Sequence, residues 1–248
     1  MRWSFKIFRA GGTEVRLHAT LLLLAAWYAW SGWRDGGPSE ALGELLFMGL
    51  LFLSVLLHEF GHALAARHYR IATPQILLTP IGGIASIATI PEEPRKELVI
   101  ALAGPAVTFL IAALGWLAWQ AFAAPGASFM AALDADALLP SVVLTNVALL
   151  AFNLLPAFPM DGGRVLRALV ASKWGYLRGT MVAARAGQVI AVVFIILGFR
   201  GNAILALIGF FVLTAAEGEY RVAKRRMMQH RQQMIEIVDP TPPRLPHD

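Results

Sequence analysis

The apolar positions of this chain do not alternate and do not mark one helical face. They run in long blocks separated by short polar connections. Blocks of this length suit helices that cross roughly 30 Å of hydrocarbon. Six are expected, near residues 17–33, 42–66, 98–122, 139–155, 181–199 and 203–216. Only Arg200-Gly201-Asn202 separates the last two, which predicts an antiparallel hairpin. Two segments break the pattern. Residues 73–91 hold Pro74, Pro80, Gly82, Gly83 and several β-branched residues, which suits short strands or a re-entrant hairpin. Such backbone is tolerated at membrane depth where protein or a water-filled cavity satisfies it. Residues 153–163 are interrupted by Pro156, Pro159 and a glycine pair. The expected fold is an all-α polytopic membrane protein of about six spans with a short re-entrant β-like segment.

Composition sharpens this picture. Hydrophobic residues are 57% of 248 and charged residues 15%, and the mean hydropathy is +0.61. Soluble domains are nearer half apolar and a quarter charged, so the lipid bilayer is the expected surrounding. Cysteine is absent, which excludes disulfides and thiolate chemistry. The first apolar run leads into Ser31-Gly32-Trp33-Arg34, which lacks the small-residue pattern of a cleavable signal.

A net charge of +5 would suit nucleic acid, but the cations fall in blocks between apolar runs, so no nucleic-acid partner is expected. Arg2, Lys6, Arg9 and Arg16 precede the first span. Arg67, Arg70, Arg95 and Lys96 follow the second, and further blocks follow the fourth and sixth. The opposite connections are poor in Lys and Arg. This asymmetry predicts that both termini are cytoplasmic and that even-numbered spans run inward. A cytoplasmic membrane is the expected location. Residues 1–217 then form the membrane domain and 218–248 a basic, proline-rich cytoplasmic tail.

The second span reads His58-Glu59-Phe60-Gly61-His62. A spacing of four puts both imidazoles on one helix face, where they can share a zinc ion at about 2.0–2.1 Å. Glu59 projects about 100° round the helix, where it can take a proton from a water on that metal. Two histidines and a glutamate inside one apolar span are costly and persist mainly where they pair or bind something. A catalytic zinc site needs a third protein ligand. Asp161 is the candidate, because the fourth span also runs inward and delivers residues 153–163 to the side reached by His58 and His62. Capping a following short helix is the alternative for Asp161.

His58-Glu59-Phe60-Gly61-His62 together with Asn153-Leu154-Leu155-Pro156 and Met160-Asp161-Gly162 resembles the site-2 protease family of intramembrane metalloproteases. The likeness extends over about residues 10–217, including Val15-Arg16-Leu17-His18 and Ala103-Gly104-Pro105. It implies one zinc ion held by His58, His62 and Asp161, with Glu59 as base and proton shuttle. It also implies that Asn153 holds substrate or the developing oxyanion; satisfying backbone broken near Pro156 is the alternative. Gly82, Gly83 and Ser86 match a glycine-rich segment to which an unwound substrate could add as a strand; a plain turn is the alternative.

Two departures stand out. Thr108 stands where many relatives have asparagine, so any role assigned to that position lapses here. The nearest-looking prokaryotic subgroup often carries paired nucleotide-binding CBS domains, and regulation through them is not expected of this chain. His18 and His68 read as ordinary interfacial histidines.

The resemblance implies hydrolysis of a peptide bond in or near the span of a single-span membrane protein. The rival reading is a metal-ion transporter using the same His and Asp residues. It would need polar residues leading outward, and stretches such as 45–54 and 110–119 offer almost none. An inactive scaffold is a third reading, disfavoured by the complete ligand set and Glu59.

Overall fold

The computed structural model describes residues 3–86, 91, 93–135 and 137–238. Residues 87–90 of the expected β-like segment and the prolines at 240, 242, 243 and 246 lie outside them. The chain forms two compact units, Met1–Leu155 and Pro156–Asp248.

The first unit opens with a hairpin of β1 (Ser4–Ala10) and β2 (Thr13–His18). Gly11 and Gly12 turn it with φ of 56° and 86°, the left-handed pair that a tight hairpin turn demands. Strand β2 also pairs in parallel with β3 (Gln75–Thr79), and β3 pairs antiparallel with β4 (Gly82–Ser86), giving one four-stranded sheet. The expectation of an all-α fold therefore needs correction. The β3–β4 hairpin falls within the segment expected to be β-like. The hairpin before it went unread because its cations resemble topology signals. Two of them also serve the sheet: Arg16 and Lys6 lie 2.6 and 3.3 Å from Glu14. Hydrogen bonds from Arg16, then Lys6, hold the Glu14 carboxyl below its ordinary value.

Helix α1 (Ala19–His68) breaks at Gly36 and Gly37, the latter at φ 77°, just before Pro38. Its two apolar runs, 19–35 and 38–68, thus sit on either side of a Gly-Gly-Pro kink, where glycine relaxes the backbone and proline removes a donor. Helices α2 (Pro94–Phe122) and α4 (Leu138–Asn153) pack with the second run, and the short α3 (Phe129–Asp134) lies between them in sequence. His18 caps the start of α1 by accepting from the Thr20 N–H. At the other end, Arg70 N–H donates to Arg67 O and Ile71 N–H to Ala66 O. This double closure puts a left-handed residue after the helix, normally glycine. Here it is Arg70, at φ 60°, a geometry costing a non-glycine residue roughly 1–2 kcal/mol.

The second unit holds α5 (Asp161–Trp174), α6 (Tyr176–Gly198) and α7 (Ala203–Val238). Buried Arg167 stacks on the rings of Phe158 and Tyr176 and lies 3.6 Å from Glu219. Helices α6 and α7 form the expected hairpin: Gly198 abuts the Ala206 backbone, and the Asn202 side chain accepts from Leu205 N–H. Helix α7 carries the basic stretch after Glu217 onward to Val238.

Among the described residues four helices are long and apolar enough to cross a membrane: α1, α2, α6 and the part of α7 up to Gln229. Helix α4 is apolar but has 16 residues. The protein is a membrane protein with several apolar helices and a small sheet.

Candidate metal centre

His58 and His62 sit one turn apart on the second run of α1, both buried. Their rings meet edge to face, and their Nε2 atoms lie 3.1 Å apart. What aims them is α2. The His62 Nδ1–H donates to Ile100 O at 2.7 Å, because a carbonyl can only accept. The His58 Nδ1 lies 2.8 Å from the Thr108 hydroxyl. Thr108 can donate that hydroxyl proton to Gly104 O, at 3.4 Å, and so accept from His58. Both rings are thereby held with Nε2 towards the shared point, the usual arrangement for a metal-binding histidine. Two nitrogens bound to one tetrahedral zinc lie about 3.3–3.4 Å apart, within a few tenths of the observed spacing. The donors fit the ion.

Gly104 makes this approach possible. A Cβ there would overlap the Nε2 atoms of both histidines. Gly61, between the histidines, plays the same part from α1: a Cβ on it would stand 2.7 Å from Ala103 O. Alanine at Gly61 would force the two backbones apart, and alanine at Gly104 would displace the imidazoles.

A cavity of about 210 Å³ opens beside this pair, bordered by Ser54, His58, Glu59, Gly82, Gly83, Thr108 and Asn153, among others. Glu59 reaches it against Gly83, whose missing side chain leaves room for the Glu59 carboxyl. Asn153 borders it as the last residue of α4. Ser54, one turn before His58, donates to Leu50 O and accepts from the buried Asn146 amide. Ser86 ends β4, exposed and paired with Gln75, and does not line the cavity. Strand β4 is an edge of the sheet.

Asp161 belongs to the second unit. It is the first residue of α5, buried, with Arg164 at 3.9 Å; Met160, not Asp161, occupies the capping position. The glycines after it let the turn close: a Cβ on Gly163 would strike the backbone of Ala157 and Phe158. His18 and His68 stand at helix ends, His68 edge to face with Tyr69.

The Ile100 carbonyl escaped sequence reasoning, and Thr108, read as a position whose role had lapsed, instead meets the His58 Nδ1 at 2.8 Å. Thr108 follows Gly104 by one helical turn, so both face the same way; a hydroxyl one turn from a glycine inside an apolar helix was the available signal.

Paired imidazoles beside a carboxylate, set in apolar helices, define a metallohydrolase of the membrane. The chain belongs to peptidase family M50, whose sequence profile matches residues 46–197. It is 36% identical over 243 residues to a zinc metalloprotease of Methanocaldococcus jannaschii, covering 98% of this chain and 68% of that one. A relative from Mycobacterium tuberculosis named for the same activity is 32% identical over 250 residues, covering 92% of this chain but 61% of its own length. The solved site-2 protease from Methanocaldococcus jannaschii matches with a TM-score of 0.63 at 36% identity, over 88% of this chain and 95% of that one. The protein is therefore a membrane zinc metalloprotease, and zinc is its cofactor.

Proposed function

We propose that this chain is an intramembrane endopeptidase that hydrolyses a peptide bond within or near the spanning segment of a single-span membrane protein. The observation that carries the reading is the convergence of two imidazole Nε2 atoms, 3.1 Å apart, beside a cavity bordered by Glu59 and an edge strand. A spanning helix hides its carbonyls in hydrogen bonds, so a substrate must unwind before it can be cut. An unwound strand could pair along β4 at Gly82 and Gly83, with Ser86 at the strand's far end.

His58, His62 and Asp161 hold the zinc ion in this reading, one per chain. When bound, the ion supplies Lewis acidity to the peptide carbonyl and acidifies water. Glu59 takes the proton of the attacking water and passes it to the departing amine nitrogen. The Asn153 amide donates to the carbonyl oxygen as negative charge develops there. The cytoplasmic membrane is the expected site of action, with six spans and both termini in the cytoplasm. Residues 1–217 form the protease domain and 218–248 its basic tail.

Metal content of the detergent-purified chain tests this directly. Wild type and Glu59→Gln should each hold about one zinc, while Asp161→Ala loses most of it. All but wild type should fail to cleave a membrane substrate. A wild-type chain that takes up no zinc would sink the reading, and an Asp161→Ala chain with full zinc would remove Asp161 from the ligand set.

A further inference from the structure

A second cavity, of about 500 Å³, lies where the β1–β2 turn meets the end of α1. Three cations border it: Arg9 from β1, and Arg67 and Arg70 from the helix end. No carboxylate is among its lining residues. Its other walls are largely apolar, with Phe60, Leu64 and Ile71 among them. Leu64 is 62% exposed and continues the outward row of Leu50, Leu53 and Leu57 along α1. The cavity therefore runs from a cationic rim onto the flank that an apolar helix turns to lipid.

Three further observations point to a ligand. Arg70 is held at φ 60° where glycine would relax, and a strained residue kept at a cavity rim is a mark of function. Thr73 is buried against the same space, and its Oγ1 has no hydrogen-bond partner among the described residues. Trp3, just before β1, and Phe5 and Ile7 within it are exposed at 69%, 58% and 53%. Aromatic and apolar side chains beside arginines suit the level of lipid headgroups.

We propose that this cavity binds the phosphodiester headgroup of an anionic phospholipid, with the arginines on the phosphate and an acyl chain along Leu64. Arginine suits a phosphate through its forked donors, and the volume is of the size that holds a small ligand. Arg67 already donates to Gly11 O at 2.8 Å, so a headgroup on Arg67 would also brace the hairpin turn against α1.

Lipid retention by the full-length chain, read by native mass spectrometry from detergent, tests this with dioleoyl phosphatidylglycerol, dioleoyl phosphatidylcholine and inorganic phosphate. Arg70→Gly is the informative variant, because it deletes the cation at a backbone position that glycine prefers. Wild type should retain phosphatidylglycerol over phosphatidylcholine. Arg70→Gly and Arg9→Gln should each weaken phosphatidylglycerol retention about fivefold, the share of one basic residue at an anionic surface. Equal retention of the two lipids, or an unchanged Arg70→Gly chain, overturns the proposal. Displacement of the lipid by equimolar inorganic phosphate overturns a lipid as the occupant.

Discussion

The two sides of α1 at the metal centre are built on opposite principles. The imidazole side is closed by α2: Gly61 and Gly104 bring the backbones together, and each Nδ1 has one assigned partner. The Glu59 side faces a cavity of about 210 Å³ beside a glycine-rich edge strand. One side is packed against α2, while the other opens on a cavity that His58 and Thr108 border only at its edge. Ligands must hold one geometry, so burial and fixed hydrogen bonds serve them. The proton carrier proposed for Glu59 must meet a substrate, so it needs space. The contrast teaches that the site separates holding from working within five residues of one helix.

The separation predicts distinct failures. Gly104→Val should have the largest effect, because its side chain would occupy the place where both Nε2 atoms lie. Zinc content should fall to about a tenth of wild type or less, with peptide hydrolysis lost alongside it. Far-UV circular dichroism should report unchanged helix. A Gly104→Val chain that still holds full zinc would show that α2 does not define the imidazole side.

On the other side, Gly83→Val would drive a side chain into the Glu59 carboxyl. Zinc should stay near the wild-type level while hydrolysis falls about a hundredfold, as for a misplaced catalytic group. Equal loss of zinc in Gly83→Val and Gly104→Val would erase the distinction between the sides.

What the sequence made legible follows the same division. The His58-Glu59-Phe60-Gly61-His62 run was readable because polar groups inside an apolar span are costly and so stand out. The α6–α7 hairpin and the β3–β4 segment were readable from their turn residues. The β1–β2 hairpin was not, since Lys6, Arg9 and Arg16 carry the charge pattern of a membrane flank, and only pairing reveals that Lys6 and Arg16 flank Glu14. The two-unit division was invisible too, because the break after Leu155 lies inside a motif read as one piece. Helix α5 was foreseen only as something Asp161 could cap, whereas Asp161 starts it. Partners supplied by the backbone, such as Ile100 O, leave no trace in residue identity.

Thr108 is the smallest lever on the comparison and the most discriminating. Its hydroxyl lies 2.8 Å from the His58 Nδ1 and fixes that ring from α2. Thr108→Val keeps the shape and removes the acceptor, so the Nδ1–H of His58 loses its partner in a buried place. Zinc should bind about 10–100-fold more weakly, the usual cost of deleting a group that orients a metal-binding histidine. Turnover at saturating zinc should stay close to wild type, since Glu59 is untouched and valine keeps the shape of the wall that Thr108 gives the cavity. Thr108→Ser should restore affinity, because serine returns the hydroxyl. A chelator competition assay reads the affinity, and a Val variant with wild-type affinity would mean that packing by α2, not the hydroxyl, aims His58. A variant that instead loses turnover with zinc fully bound would place Thr108 on the working side of the helix.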